Sequence, residues 1–301
     1  MWDYFCFLAS NANLQESLSF PECLAMGFVD EVSVRFFHED RENARNRYRQ
    51  SAQQGLKSPN FLPGIATPDF RNLLHSSWLA FQIDFELLTP WYSKDDRVFH
   101  VMDNPVRKER VFGVPVLAAS SLQGLLRWAC RMQAGLREHL EQHNGKLDGW
   151  RDPDWILHLF GNEKGEEKDF HQGALVFYPT WFDKIGFEVI NPHSRERRAG
   201  TQPIYYEVVP PGAKGTLSLL YAPWPGMKAE VEPIECLPKL LEAMEALLTT
   251  YGISAKRTVG WGTARIQGWR AYRKGKSPVE KDNREDLWSE IQPWLEEEGN
   301  P

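Results

Sequence analysis

Only four cysteines occur in the 301 residues, Cys6, Cys23, Cys130 and Cys236, and none belongs to a C-x-x-C pair. That spacing offers no zinc framework and no disulfide scaffold. Reduced thiols of this kind fit a cytoplasmic chain. A long apolar run is also missing, so no stretch suits a membrane-spanning helix. The opening residues, MWDYFCFLASNANLQESLSF, lack the basic start and apolar run of a signal peptide. A cytoplasmic location is therefore expected. Nor is there a basic excess: 35 Lys and Arg stand against 41 Asp and Glu, a net charge of −6. Free-standing nucleic-acid binders are usually basic overall, although a local patch can act against the global average.

What is present is a foldable, aromatic-rich chain. Hydrophobic residues make up 42%, enough for a core, and there are 12 tryptophans. Residues 1–76 read as an N-terminal extension that docks on the main domain. Within it HEDRENARNRYRQSAQQGL is a polar, mostly helical run, and SPNFLPGIATPDF is a Pro-rich linker. Helical spacing puts Arg41, Arg45 and Arg49 on one side, either against a phosphate backbone or on a solvated face.

Residues 77–273 carry the clearest periodicity. In SSWLAFQIDFELLTP, Leu79, Phe81, Ile83 and Phe85 alternate with Gln82, Asp84 and Glu86, as a half-buried strand requires. After VFGVPVLAA, a helix follows with Leu122, Leu125, Leu126, Ala129 and Met132 as its apolar stripe. Ser120 or Ser121 is the expected N-cap. Gly173–Phe182 reads as a second strand, and residues 183–203 as a turn-rich basic excursion. IYYEVVPPGAKGTLSLLYAPW reads as strands around a Pro-Pro-Gly turn, IECLPKLLEAMEALLTTYGI as a second helix, and GTARIQGWRAY as a last strand. The fold class that follows is α+β: a ferredoxin-like (RRM-like) β-α-β-β-α-β domain with an antiparallel sheet, an N-terminal extension and a central basic insertion. An open sheet face of this kind is a common RNA platform. Residues 274–301 form a charged tail with one short helix around DLWSEIQPWLEEE.

Two stretches carry chemistry. At the first helix start, unpaired N–H groups suit a phosphate. Ser120 and Ser121 add hydroxyls, Gly124 permits close approach, and Arg127 adds a permanent charge. Capping and packing alone would also account for these residues. In GISAKRTVGWG, Gly252 suits a helix C-cap. Gly260 and Gly262 permit unusual backbone angles. Lys256 and Arg257 are cations, Thr258 a hydroxyl, and Trp261 a stacking plane, so the loop can wrap a phosphate chain.

Together, Val114–Arg127 and Tyr251–Gly262 resemble the paired signatures of the RAMP superfamily, CRISPR-associated RNA-binding subunits of type III effector complexes. The resemblance spans roughly residues 78–272. It implies guide RNA, target RNA and other RAMP and large subunits as partners, and no membrane. Two positions depart from the pattern: Ala118-Ala119 replaces a Pro-Gly, and Gln123 replaces a lysine. Both leave more of the phosphate binding to Arg127, Lys256 and Arg257.

The resemblance points two ways on catalysis. Asp103-Asn104-Pro105-Val106 resembles the segment that carries the cleaving aspartate of backbone subunits. That implies Asp103 as catalytic residue, with Asp95, Asp96 and His100 as helpers and magnesium or another divalent metal at Asp103. As plain sequence, Asp-Asn-Pro is also a turn. Asn191-Pro192-His193 instead resembles the non-cleaving capping subunit. There Arg195, Arg197 and Arg198, in a thumb-like loop, would contact RNA. A third alternative is a guide-precursor processing endoribonuclease using His100.

Overall fold

In the computed structural model, which describes residues 41–53, 67–96, 100, 102–109, 113–162, 172–191, 203–224 and 231–296, the alternating stretch is the central strand, β1 (Leu79–Leu87). Leu79, Phe81, Ile83, Phe85 and Leu87 all enter the main core. Ala80, Gln82 and Asp84 lie on the other face, because successive side chains of a strand point opposite ways.

Before β1 stands a helix, α1 (Arg41–Gln53). After it come β2 (Val116–Leu117), α2 (Ala119–Gln133), α3 (Leu136–Gln142) and α4 (Asp154–Phe160). Next are β3 (Leu175–Phe177), β4 (Thr180–Trp181), β5 (Gly186–Ile190), β6 (Ile204–Val208) and β7 (Lys214–Tyr221). The chain continues with α5 (Pro233–Ala246), a π-helical turn (Leu247–Tyr251) and a 3-10 turn (Arg257–Val259). It closes with β8 (Ala264–Arg273), β9 (Val279–Lys281) and α6 (Arg284–Glu296).

The architecture is mixed α/β around a five-stranded sheet of order β3-β7-β1-β8-β9, antiparallel throughout. Phe81 sits opposite Leu219 on one side and Ala271 on the other. α2 and α5 pack together over the core face. α2 buries Leu122, Leu126, Ala129 and Cys130, and α5 buries Leu237, Leu240, Leu241 and Met244. Both sets follow the spacing of one helical stripe. Leu287, Ile291 and Trp294 bring α6 into the same core, so the charged C-terminal segment is also a packing element.

Several expectations need correction. α2 starts at Ala119 with Ala118 as its cap, and neither serine caps it. Residues 173–182 form two strands in two sheets, β3 on β7 and β4 on β2. The break falls at Pro179, which has no N–H for a ladder. The excursion beginning at residue 183 contains β5, which pairs with β6 as a hairpin. β6 and β7 flank the Pro-Pro-Gly turn but do not pair with each other, since β7 pairs with β1 and β3.

Candidate nucleic-acid interface

The glycine loop is built by close approach. α5 ends in its π turn, and Gly252 follows at φ 79°. Ile253 N–H donates to Gly262 O at 2.9 Å, closing the neck. A Cβ on Gly262, at φ 87°, would stand 2.4 Å from Ser254 N, and one on Gly252 would stand 2.6 Å from Trp261 O. Both positions therefore require glycine. The loop is then fixed to the chain beyond β1. Ser254 Oγ accepts from Tyr92 N–H at 2.9 Å and donates to Tyr92 O at 3.1 Å. Trp91 Nε1–H donates to Ile253 O at 2.8 Å.

On this rigid neck the cations rest on aromatic rings. Lys256 Nζ lies 4.6 Å from the Tyr206 ring centre, in a cluster of edge-on contacts among Tyr92, Tyr206 and Trp261. Trp261 is half-buried there, so part of its expected stacking surface is already covered. The Arg257 guanidinium lies 4.4 Å over Trp128 of α2, and Trp128 meets Tyr251 edge-on at 4.9 Å. Thr258, Val259 and Gly260 are exposed beside it.

Trp128 thus joins the two sequence signatures. It stands four residues after Gly124, on the same strip of α2. Ser120 and Gly124 are exposed, Ser121 is half-buried, and among the described residues nothing outside the helix backbone and Gly124's two neighbours comes within 4 Å of the place a Cβ of Gly124 would take. A strip bare of large side chains leads up to the Trp128–Arg257 stack. Sequence reasoning placed Arg257 but missed Trp128; its spacing from Gly124 was the available signal.

Arg127 is engaged elsewhere. Its Nε and Nη2 bond Asp152 at 2.8 and 2.6 Å. Arg131 and the Trp150 indole bond the same carboxylate. Burial pushes the Asp152 carboxyl up, but bonds from Arg131, Trp150 and Arg127 more than offset this and hold it below the usual range. The charge expected to meet a phosphate instead ties α2 to the 150–152 loop.

The Asp103 loop is stitched to β6 and α1. Glu207 N–H donates to Asn104 O at 3.0 Å, and Asn104 Nδ2 donates to Tyr205 O at 3.1 Å. Beneath it Lys108 Nζ donates to both Glu207 carboxylate oxygens at 2.7 Å and to Tyr48 Oη at 2.6 Å, while the Tyr48 hydroxyl bonds Glu207. All three side chains are buried. Asp103 itself is 67% exposed and pairs with Arg45 Nη2 at 2.7 Å. Arg49 lies over the Tyr205 ring. So two of the spaced arginines dock α1 on the domain rather than lining a solvated face.

The expected helpers of Asp103 have other roles. Asp95 is buried and accepts the Lys108 N–H at 3.4 Å. Asp96 is exposed and edges an open groove of about 450 Å³ shared with Arg107, Ala118, Ala119 and Trp181. His100 Nδ1 accepts the Met102 N–H at 3.0 Å, and its ring meets Tyr48 edge-on. Among the described residues no three His, Cys, Asp or Glu side chains come together to hold a metal. Arg195, Arg197 and Arg198 lie outside the described residues.

The sheet face opposite the main core is only partly open. Phe70 and Leu73 cover Ala80 and Leu220, with Tyr178 and Tyr272 packed against them. Gln82 donates to Pro68 O and accepts from the Tyr272 hydroxyl. Tyr178 and Tyr272 are half-buried there, so packing within the chain takes up part of the face expected as an RNA platform.

The RAMP superfamily model matches residues 84–265, well over half of the chain. The chain belongs to the RAMP superfamily. No curated protein sequence matches it. The fold resembles a chain in the cryo-EM structure of the Type III-B Cmr-beta bound to cognate target RNA. The TM-score is 0.53 and the identity 12%, and the match covers 89% of this chain and 98% of that one. Among the described residues no helix is long and apolar enough to cross a membrane.

Proposed function

We propose that this chain is a guide-RNA-binding subunit of a type III CRISPR ribonucleoprotein effector, and that it grips RNA without cutting it. Membership of the RAMP superfamily supports the class, and the likeness to a chain of an RNA-bound Cmr-beta supports the setting. A ferredoxin-like (RRM-like) core fits the strand order β8-β1-β7-β3, with α2 leading from β1 to β3 and α5 from β7 to β8. The observation that carries the grip is the meeting of the two signatures, where Arg257 of the glycine loop stacks on Trp128 of α2.

The RNA contact is with the backbone. Cations and bare backbone meet phosphates irrespective of base. Lys256, Arg257, Thr258, Gly260 and Trp261 form one side, with Gly262 closing the neck beneath them, and Ser120, Ser121 and Gly124 form the other. A chain of net charge −6 holds RNA weakly alone, so the grip operates in a cytoplasmic assembly with target RNA and other RAMP and large subunits.

Asp103 is read as the docking residue of α1, since Arg45 holds its carboxylate. Asp103→Asn in the reconstituted effector is expected to leave every target-RNA cut in place. The exposed pair contributes at most about 1 kcal/mol to stability, so the variant stays folded. Loss of one cut, opposite this subunit, would favour the second reading, target cleavage through Asp103. That reading draws support from the carboxylate's 67% exposure. Precursor processing through His100 has less support, because Met102 N–H already occupies its Nδ1.

A further inference from the structure

Arg257 is an unusual cation. It is half-buried, its face lies 4.4 Å over the Trp128 ring, and its Nη1 is enclosed with no hydrogen-bond partner among the described residues. Burial lowers its basicity from the ordinary arginine value, while a guanidinium keeps its charge in proteins. Trp128 is itself braced, edge-on, by Tyr251 at the end of the π turn. The stack therefore joins two elements that are each fixed from behind, α2 by the core and the loop by its glycine neck.

We propose that Trp128 is a positioning residue: it holds the Arg257 guanidinium flat, so that one edge of the fork is presented to a phosphodiester of RNA running along the Ser120–Gly124 strip. The inference rests on the RNA-grip reading above and adds a residue that neither signature includes. A planar fork meets two phosphate oxygens at once, which a lysine ammonium does not. A long flexible side chain loses rotamer freedom when it binds. Stacking on the indole removes that freedom beforehand, and Trp is the best of the rings for this purpose. Gly124 fits the same picture, one helical turn before Trp128, since among the described residues no other element packs within 4 Å of the place its Cβ would take.

The test uses the full chain with fluorescein-labelled single-stranded RNA, measuring anisotropy across a salt series that starts near 50 mM. Arg257→Ala is expected to weaken binding about tenfold. It should also flatten the log–log salt slope by about 0.7, the value of one phosphate contact on a single strand. Trp128→Leu, which leaves every charge in place, is expected to weaken binding about five- to tenfold. The double variant should be no weaker than Arg257→Ala alone. Trp128→Phe keeps a ring face and is expected to stay within about twofold of the parent.

Trp128→Leu binding like the parent while Arg257→Ala binds weakly would overturn the positioning role and leave the RNA-grip reading standing. Arg257→Ala binding like the parent with an unchanged slope would overturn both. If Trp128→Leu lowers the melting temperature markedly, Arg257→Lys takes its place, since it keeps the charge and removes the flat fork. It is expected to bind within about twofold of Arg257→Ala, and binding at the parent level would overturn the proposal.

Discussion

Gly262→Ala is expected to cost about 2–4 kcal/mol of stability and to abolish detectable RNA binding at moderate salt. Two penalties combine. A non-glycine residue at φ 87° pays about 1–2 kcal/mol in backbone strain. The new Cβ would also stand 2.4 Å from Ser254 N and 2.6 Å from Ser254 Cβ. Neither neighbour can yield, because Ser254 is clipped to both backbone groups of Tyr92. The neck must open, and Arg257 then leaves Trp128. Thermal melting and RNA anisotropy on the same sample check this. Gly260→Ala is the control: φ is 82° there, but the Cβ meets nothing, so only the strain is felt. A Gly262→Ala variant as stable as Gly260→Ala would refute the close-approach argument.

The second large effect lies under the Asp103 loop. Glu207→Gln is expected to cost about 3–5 kcal/mol, because it removes the negative charge that bonds the buried Lys108 ammonium through both carboxylate oxygens. Glu207 also accepts the Val106 N–H at 3.0 Å, so the loop that carries Asp103 loosens with it. Replacing both partners, Lys108→Met with Glu207→Leu, is expected to recover much of the loss, since the two charges of the pair are removed together. Tyr48→Phe removes a buried hydroxyl from the same network and is expected to cost about 1–2 kcal/mol. In a denaturant series the order of midpoints should be parent, Tyr48→Phe, then Glu207→Gln. A Glu207→Gln protein with the parent midpoint would show that the buried triad contributes nothing.

The periodic parts of this fold were legible in the sequence. β1 alternates over nine residues, α2 and α5 carry apolar stripes, and the glycines around residue 260 announce a turn into the last strand. Features with a non-local cause were not legible. Arg127 looked available until its partner Asp152 was located across the 150–152 loop. Arg45 and Asp103 lie 58 residues apart in sequence, and nothing in either segment announces the other. Trp128 reads as one more core aromatic on an amphipathic helix; its spacing from Gly124 hints at another role, which the stacking of Arg257 on it makes plain. β5 was missed because a five-residue strand of mixed polarity sits between turn-forming residues. The break at Pro179 was readable from proline chemistry but was outweighed by the run of apolar residues around it.

The central claim is that RNA lies between α2 and the glycine loop. The most direct measurement is photo-crosslinking of a 4-thiouridine-substituted guide RNA in the assembled effector, followed by mapping of crosslinked peptides on this chain. The account predicts crosslinks within residues 119–133 and 252–262, both lost in Gly262→Ala. Crosslinks confined to other surfaces of the chain, with these two segments clear, would contradict it.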